Sequence, residues 1–108
     1  MTDTLGMALD ILLGDVAAKS SGDPTISYTA KLLSAGPSYC AKKLGEEGVE
    51  LALAVASGDR DEVAHEAADL LYHLAVAIKS AGVSGEDIAV VLQKRRSLSG
   101  LEEKASRG

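Results

Sequence analysis

Residues 43–73 read KLGEEGVELALAVASGDRDEVAHEAADLLYH, and this stretch decides the fold. Two apolar, helix-periodic segments flank Ser57-Gly58-Asp59, a run of turn formers. So short a link joins neighbouring helices antiparallel. Asp59 and Glu62 have the spacing of a capping box at the start of the second segment. The first segment carries Glu46, Glu47 and Glu50; after fifteen intervening residues the second carries Glu66 and Asp69. At about 100° per residue, Lys43, Glu47 and Glu50 share one stripe, and Glu62, Glu66, Asp69 and His73 share another. Leu44, Leu51 and Val55 mark a different face, available for the core. Carboxylates in apolar helices are costly unless something compensates them. If the segments pair, Glu47, Glu50, Glu66 and Asp69 converge, and four acids at one point need a cation.

Outward from this hairpin the chain reads as further helix. Upstream, Leu5, Leu9, Leu12 and Val16 form one stripe of a helix predicted from near Asp3 to Lys19, which the turn formers Ser20–Pro24 end. Ser27–Leu33 reads as a loop leading into a short helical turn. Pro37 suits the first turn of the next helix, which continues to about Ala56. The helix after the Ser57–Asp59 turn runs to about Ala81 and stops at Gly82. Ser84 and Asp87 start another, with Ile88, Val91, Leu92 and Arg95 following. The expectation is an all-α bundle of four to five helices over residues 1–96, with an irregular polar tail at 97–108.

Composition narrows the class. The 108 residues are 46% hydrophobic but only 3% aromatic, without Trp or Phe. Apolar volume therefore comes from Ala, Leu and Val, which suits close-packed helices. Small side chains make a thin core, so burial against a second copy is expected: a homodimer. A net charge of −5 argues against non-specific nucleic-acid or membrane binding, yet a bound divalent metal would reverse the local field for an anionic substrate. The single cysteine, Cys40, cannot pair within the chain, which fits a reducing, cytoplasmic setting. Its ordinary reading is a small apolar helix residue. No span approaches the ~20 apolar residues of a bilayer crossing, and Met1-Thr2-Asp3 lacks the basic start of a signal peptide.

The acids admit two readings on spacing alone. A solvated face would pair Glu46 with Lys42, or Glu47 with Lys43, as ordinary i,i+4 contacts. A cation site would suit Mg²⁺, which takes a few carboxylate oxygens, keeps several waters and bridges phosphate oxygens. Only His65 and His73 offer nitrogen nearby, so other metals are less favoured.

Lys43–Glu50, Glu66–His73 and the loop Ser27-Tyr28-Thr29-Ala30-Lys31-Leu32 together resemble phosphoribosyl-ATP pyrophosphohydrolase. That family is the histidine-pathway member of the all-α nucleoside triphosphate pyrophosphohydrolases. The acid pattern marks only the superfamily; the loop and the Asp-Leu-Leu-Tyr-His run are more selective, and the match covers roughly residues 5–96. The resemblance implies Mg²⁺-dependent hydrolysis of phosphoribosyl-ATP to phosphoribosyl-AMP and pyrophosphate. Carried over by position, it makes Glu47, Glu50, Glu66 and Asp69 the metal ligands and Glu46 a neighbouring acid or general base. A carboxylate left off the metal would take the proton of the attacking water, its identity left open by the sequence; Glu46 and Glu47 are the candidate catalytic residues. It leaves open whether a separate cyclohydrolase for the next pathway step binds this chain. A house-cleaning pyrophosphohydrolase of free nucleotides is the near alternative, and a non-catalytic dimerisation bundle the distant one.

Several side chains complete the candidate site. Lys42 and Lys43 stand one turn before the acids, where an ammonium reaches a departing pyrophosphate or makes a surface pair. Lys31 is a weaker phosphate candidate. Tyr28 offers a flat ring for a purine or ribose, or anchors its loop. Arg95, with Arg96, either binds triphosphate or complements the dipole at a helix end. His73 reads as a buried, hydrogen-bonded histidine and Tyr72 as core or dimer interface. Gly45 and Gly48 each weaken their helix by ~1 kcal/mol relative to Ala, a cost that close approach of another helix or of substrate would explain.

Overall fold

The computed structural model describes residues 3–96 and 104–105. Five helices follow one another with no strand among the described residues: α1 (Leu5–Lys19), α2 (Tyr28–Ser34), α3 (Pro37–Ser57), α4 (Arg60–Ser80) and α5 (Gly85–Arg95). The architecture is all-α, as the hairpin pattern predicts. Most of the predicted tail, 97–108, lies outside the described residues; of it only Lys104 and Ala105 are described, and their backbone is helical.

Local chemistry sets the ends. Thr4 caps α1, its hydroxyl accepting from the Met7 amide, and Pro37 opens α3 where its missing N–H costs nothing. Gly58 ends α3 in the left-handed region (φ 80°), which only glycine enters cheaply. Asp59 caps α4 through the amides of Asp61 and Glu62. The reciprocal half of a capping box is absent there, because the Asp59 amide faces Ser57 Oγ at 3.4 Å instead of Glu62. The complete box is at α5, where Ser84 and Asp87 bond each other's amides at 2.9 and 3.2 Å. The Ser27–Leu33 stretch becomes a true helix because Ser27 Oγ accepts from the Ala30 amide and the core takes up Ala30 and Leu32.

The core is thin. Val16, Leu32, Cys40, Ala75 and Val76 form its centre, with Leu12, Leu13, Leu33, Tyr72 and Ala77 packed around them. Cys40 is an interior residue, its thiol donating to the Leu32 carbonyl at 3.2 Å. Leu5 and Val55 depart from expectation. The α1 stripe is buried only from its middle onward, Leu5 being exposed. Leu44 and Leu51 are half-buried, but Val55 is 59% exposed, since Ala54, one step round the helix, is the residue that goes under. Met7 and Ile11 of α1, Val49 and Leu53 of α3, and Val90, Val91 and Leu92 of α5 also lie open. No helix among the described residues is long and apolar enough to cross a membrane. The most extensive helix contact joins α3 to α4, and that antiparallel pair carries the acids.

Candidate metal centre

The turn at Gly58 is the centre of a register. Glu50 and Glu66 lie eight residues on either side of it, Glu47 and Asp69 eleven, and Lys43 and His73 fifteen. Antiparallel pairing about such a turn sets each couple at one height along the two helices. The side chains follow. One carboxylate oxygen each from Glu47, Glu50 and Glu66 lies within 4.8 Å of the others, and Glu66 makes a second such set with Asp69 and His65. Glu66 is thus the hinge between two overlapping groups that together hold all four predicted ligands.

The electrostatics of this cluster are unfavourable as it stands. Burial pushes the Glu47 carboxyl above its ordinary range, and the charges of Glu50, Asp69 and Glu66 push it the same way. Glu66 moves up for like reasons, burial first and then the neighbouring Glu50 and Asp69. Glu47 Oε2 and Glu66 Oε2 are buried and have no hydrogen-bond partner. Such atoms cost free energy that native structures rarely leave uncompensated. The Glu47, Glu50 and Glu66 set is oxygen-only, and carboxylates with bare, buried oxygens fit a hard divalent cation such as Mg²⁺.

His73 lies beside the acids, only 7% exposed. Its Nε2 is 3.8 Å from Oε1 of Glu47, whose side chain is 16% exposed. Burial first, and then the Lys43 charge, lowers the His73 pKa below its ordinary value. Lys43 pairs at 3.6 Å with Glu46 rather than Glu47, and the Glu46 charge is the main cause that raises its pKa. Glu46 therefore sits half-exposed on the outer side of α3 and is absent from both converging sets.

Tyr28, 52% exposed at the start of α2, lies over Tyr72 with centroids 6.4 Å apart and meets His73 edge-on at the same distance. Tyr72 shares a 2.6 Å hydrogen bond with the buried Thr29 hydroxyl, which ties the Ser-Tyr-Thr segment to α4. Lys31 and Lys42 are exposed on α2 and α3, and Arg95 ends α5. The groove beside the acids, of about 250 Å³, is lined by Glu50, Leu53, Ala54, Ser57, Glu62 and Glu66, from α3 and α4. A Cβ built at Gly45 or Gly48 meets nothing within 4 Å, so among the described residues no other helix approaches closely there. Two contacts escape the sequence reading. The i,i+4 pair of His65 with Asp69, at 3.6 Å, was visible as spacing, whereas His73 against Glu47 needed the packed hairpin.

Fold and site together define a class: all-α domains with a carboxylate centre set between two antiparallel helices. The family model described as phosphoribosyl-ATP pyrophosphohydrolase matches residues 15–96. A phosphoribosyl-ATP pyrophosphatase 1 of Rhodopseudomonas palustris is 50% identical over 86% of this chain and 85% of its own length. Phosphoribosyl-ATP pyrophosphatases of Rhizobium johnstonii and Cereibacter sphaeroides are each 47% identical, covering 94% and 93% of this chain and 95% and 97% of their own. This chain belongs to the phosphoribosyl-ATP pyrophosphohydrolase family.

Proposed function

We propose that this protein hydrolyses phosphoribosyl-ATP to phosphoribosyl-AMP and pyrophosphate, a step of histidine biosynthesis, with Mg²⁺ held by Glu47, Glu50, Glu66 and Asp69. Membership of the family supports the substrate. The observation that carries the chemistry is the pair of buried, unpartnered oxygens on Glu47 and Glu66 inside a cluster of acids. Mg²⁺ held there would offset phosphate charge and lower the pKa of a water. The chain's own groups do the rest. Lys43, one turn before Glu47, presents its ammonium to the pyrophosphate, with Lys42 and Lys31 as outer cations for the same anion. Tyr28, open to solvent on one side, packs its ring against the adenine or ribose. Water adds to phosphorus and the α–β phosphoanhydride bond breaks. The water proton passes to a carboxylate not engaged with the metal, and the electron pair leaves with pyrophosphate.

The reading includes a cytoplasmic homodimer, supported by the thin core and the open apolar residues of α1, α3 and α5. Competing hydrolysis of phosphoribosyl-ATP, dUTP and ATP tests the substrate. The first is expected to be turned over fastest, and a preference for dUTP would assign the site to a house-cleaning enzyme.

A further inference from the structure

His73 belongs to neither set of converging ligand atoms, yet it is the buried imidazole nearest to them. Its Nε2 stands 3.8 Å from Glu47 Oε1, within ion-pair range and beyond hydrogen-bond length. The other oxygen of that carboxylate, Oε2, is the one that is buried and bare. The two oxygens of Glu47 are therefore differentiated, one facing an imidazole nitrogen and one without a partner. A proton on Nε2 is the tautomer that makes the contact attractive.

The imidazole is itself held in place. The Tyr72 ring meets it edge-on at 5.1 Å and 82°, and Tyr28 meets it edge-on at 6.4 Å and 86°. Tyr72 is fixed in turn by the 2.6 Å bond of its hydroxyl to Thr29. A histidine serving only as filler would need no carboxylate beside it, and Lys43, the nearby cation, is directed to Glu46.

We propose that His73 is a positioning residue for Glu47: its Nε2 faces Oε1 and so leaves Oε2 for the cation. This role rests on the metal centre proposed above. Groups that orient a ligating carboxylate typically contribute 10–100-fold to metal affinity, and an effect of about that size is expected here.

Mn²⁺ titration of the full chain, followed by electron paramagnetic resonance, tests it with His73→Leu and His73→Gln. His73→Leu fills the space without a donor, and its Kd for Mn²⁺ should rise ~10–100-fold at unchanged helix content. His73→Gln supplies an amide nitrogen in place of Nε2 and should stay near the wild-type Kd. A purely structural histidine predicts the reverse order, with Leu tolerated and Gln disruptive. A His73→Leu variant with the wild-type Kd overturns the proposal. Should that variant fail to fold, ¹⁵N resonances of the histidine side chains in the unaltered protein decide: Mg²⁺ should move the His73 Nε2 signal, and a stationary signal overturns the role. Absence of Mn²⁺ binding in the wild type overturns the metal centre and this role together, whereas wild-type binding with an unaffected Leu variant overturns this role alone.

Discussion

Glu47→Gln should stabilise the metal-free protein while destroying its site. The Glu47 carboxyl is raised in the folded state, by burial first and by Glu50 next. A raised folded pKa means that the native state holds its proton more tightly than the unfolded chain. The associated stability is thus fully present below the unfolded value near 4.5 and lost as pH rises through the folded one. At pH 7 without metal, the ionised side chain works against folding. Its oxygen and that of Glu50 lie within 4.8 Å, a repulsion of about 0.9 kcal/mol even at the dielectric constant of water. Gln removes it at nearly constant volume. A gain of about 1 kcal/mol in a domain of this size raises Tm by roughly 4–8 °C. Scanning calorimetry in EDTA at pH 7 should show that rise, and at pH 4.5 it should shrink as the wild-type carboxyl takes up its proton. Saturating Mg²⁺ should then reverse the order, because binding at 100 times Kd adds about 2.7 kcal/mol to the wild type alone. A variant that melts below wild type in EDTA at pH 7, or a gain independent of pH, would refute the reasoning.

Other substitutions probe separate parts of the account. Glu50→Gln should cut turnover by ~100-fold or more, since loss of a direct ligand exceeds the 10–100-fold cost of losing its outer partners, while circular dichroism shows native helix content. Leu32→Ala, at the centre of the core, should cost about 2–5 kcal/mol by urea denaturation. Gly58→Ala places a Cβ in the left-handed region and should cost ~1–2 kcal/mol by the same measurement, although open space surrounds the site.

The hairpin and its acids were legible because helical period and a short turn are both written in local sequence. Equal distances of Glu50 and Glu66 from Gly58 convert that period into a shared height. What depends on packing was less legible. Helix α2 is seven residues long and owes its existence to the Ser27 cap and to burial of Ala30 and Leu32, neither of which a periodicity window weighs. Val55, expected on the core face, is exposed, and its neighbour Ala54 is buried instead. Lys43 had two acids within a turn, and only the structure shows that it takes Glu46 and leaves Glu47 to His73. Gly45 and Gly48 have no close neighbour among the described residues, so the close approach inferred from their helix cost is not met by the helices described. The spacing of the acids reaches carboxylate chemistry, while the substrate required the loop before them and the relatives of the whole chain.

The central claim is that the carboxylates between α3 and α4 would hold a divalent cation, on which this chain's hydrolysis of the α–β bond of phosphoribosyl-ATP depends. Its most direct test is ³¹P nuclear magnetic resonance of the products formed by the wild type and by Glu50→Gln, with Mg²⁺ and with EDTA. Pyrophosphate and phosphoribosyl-AMP should appear in equal amounts, only with wild type and Mg²⁺. Orthophosphate as the product, or undiminished turnover in EDTA or in the variant, would contradict it.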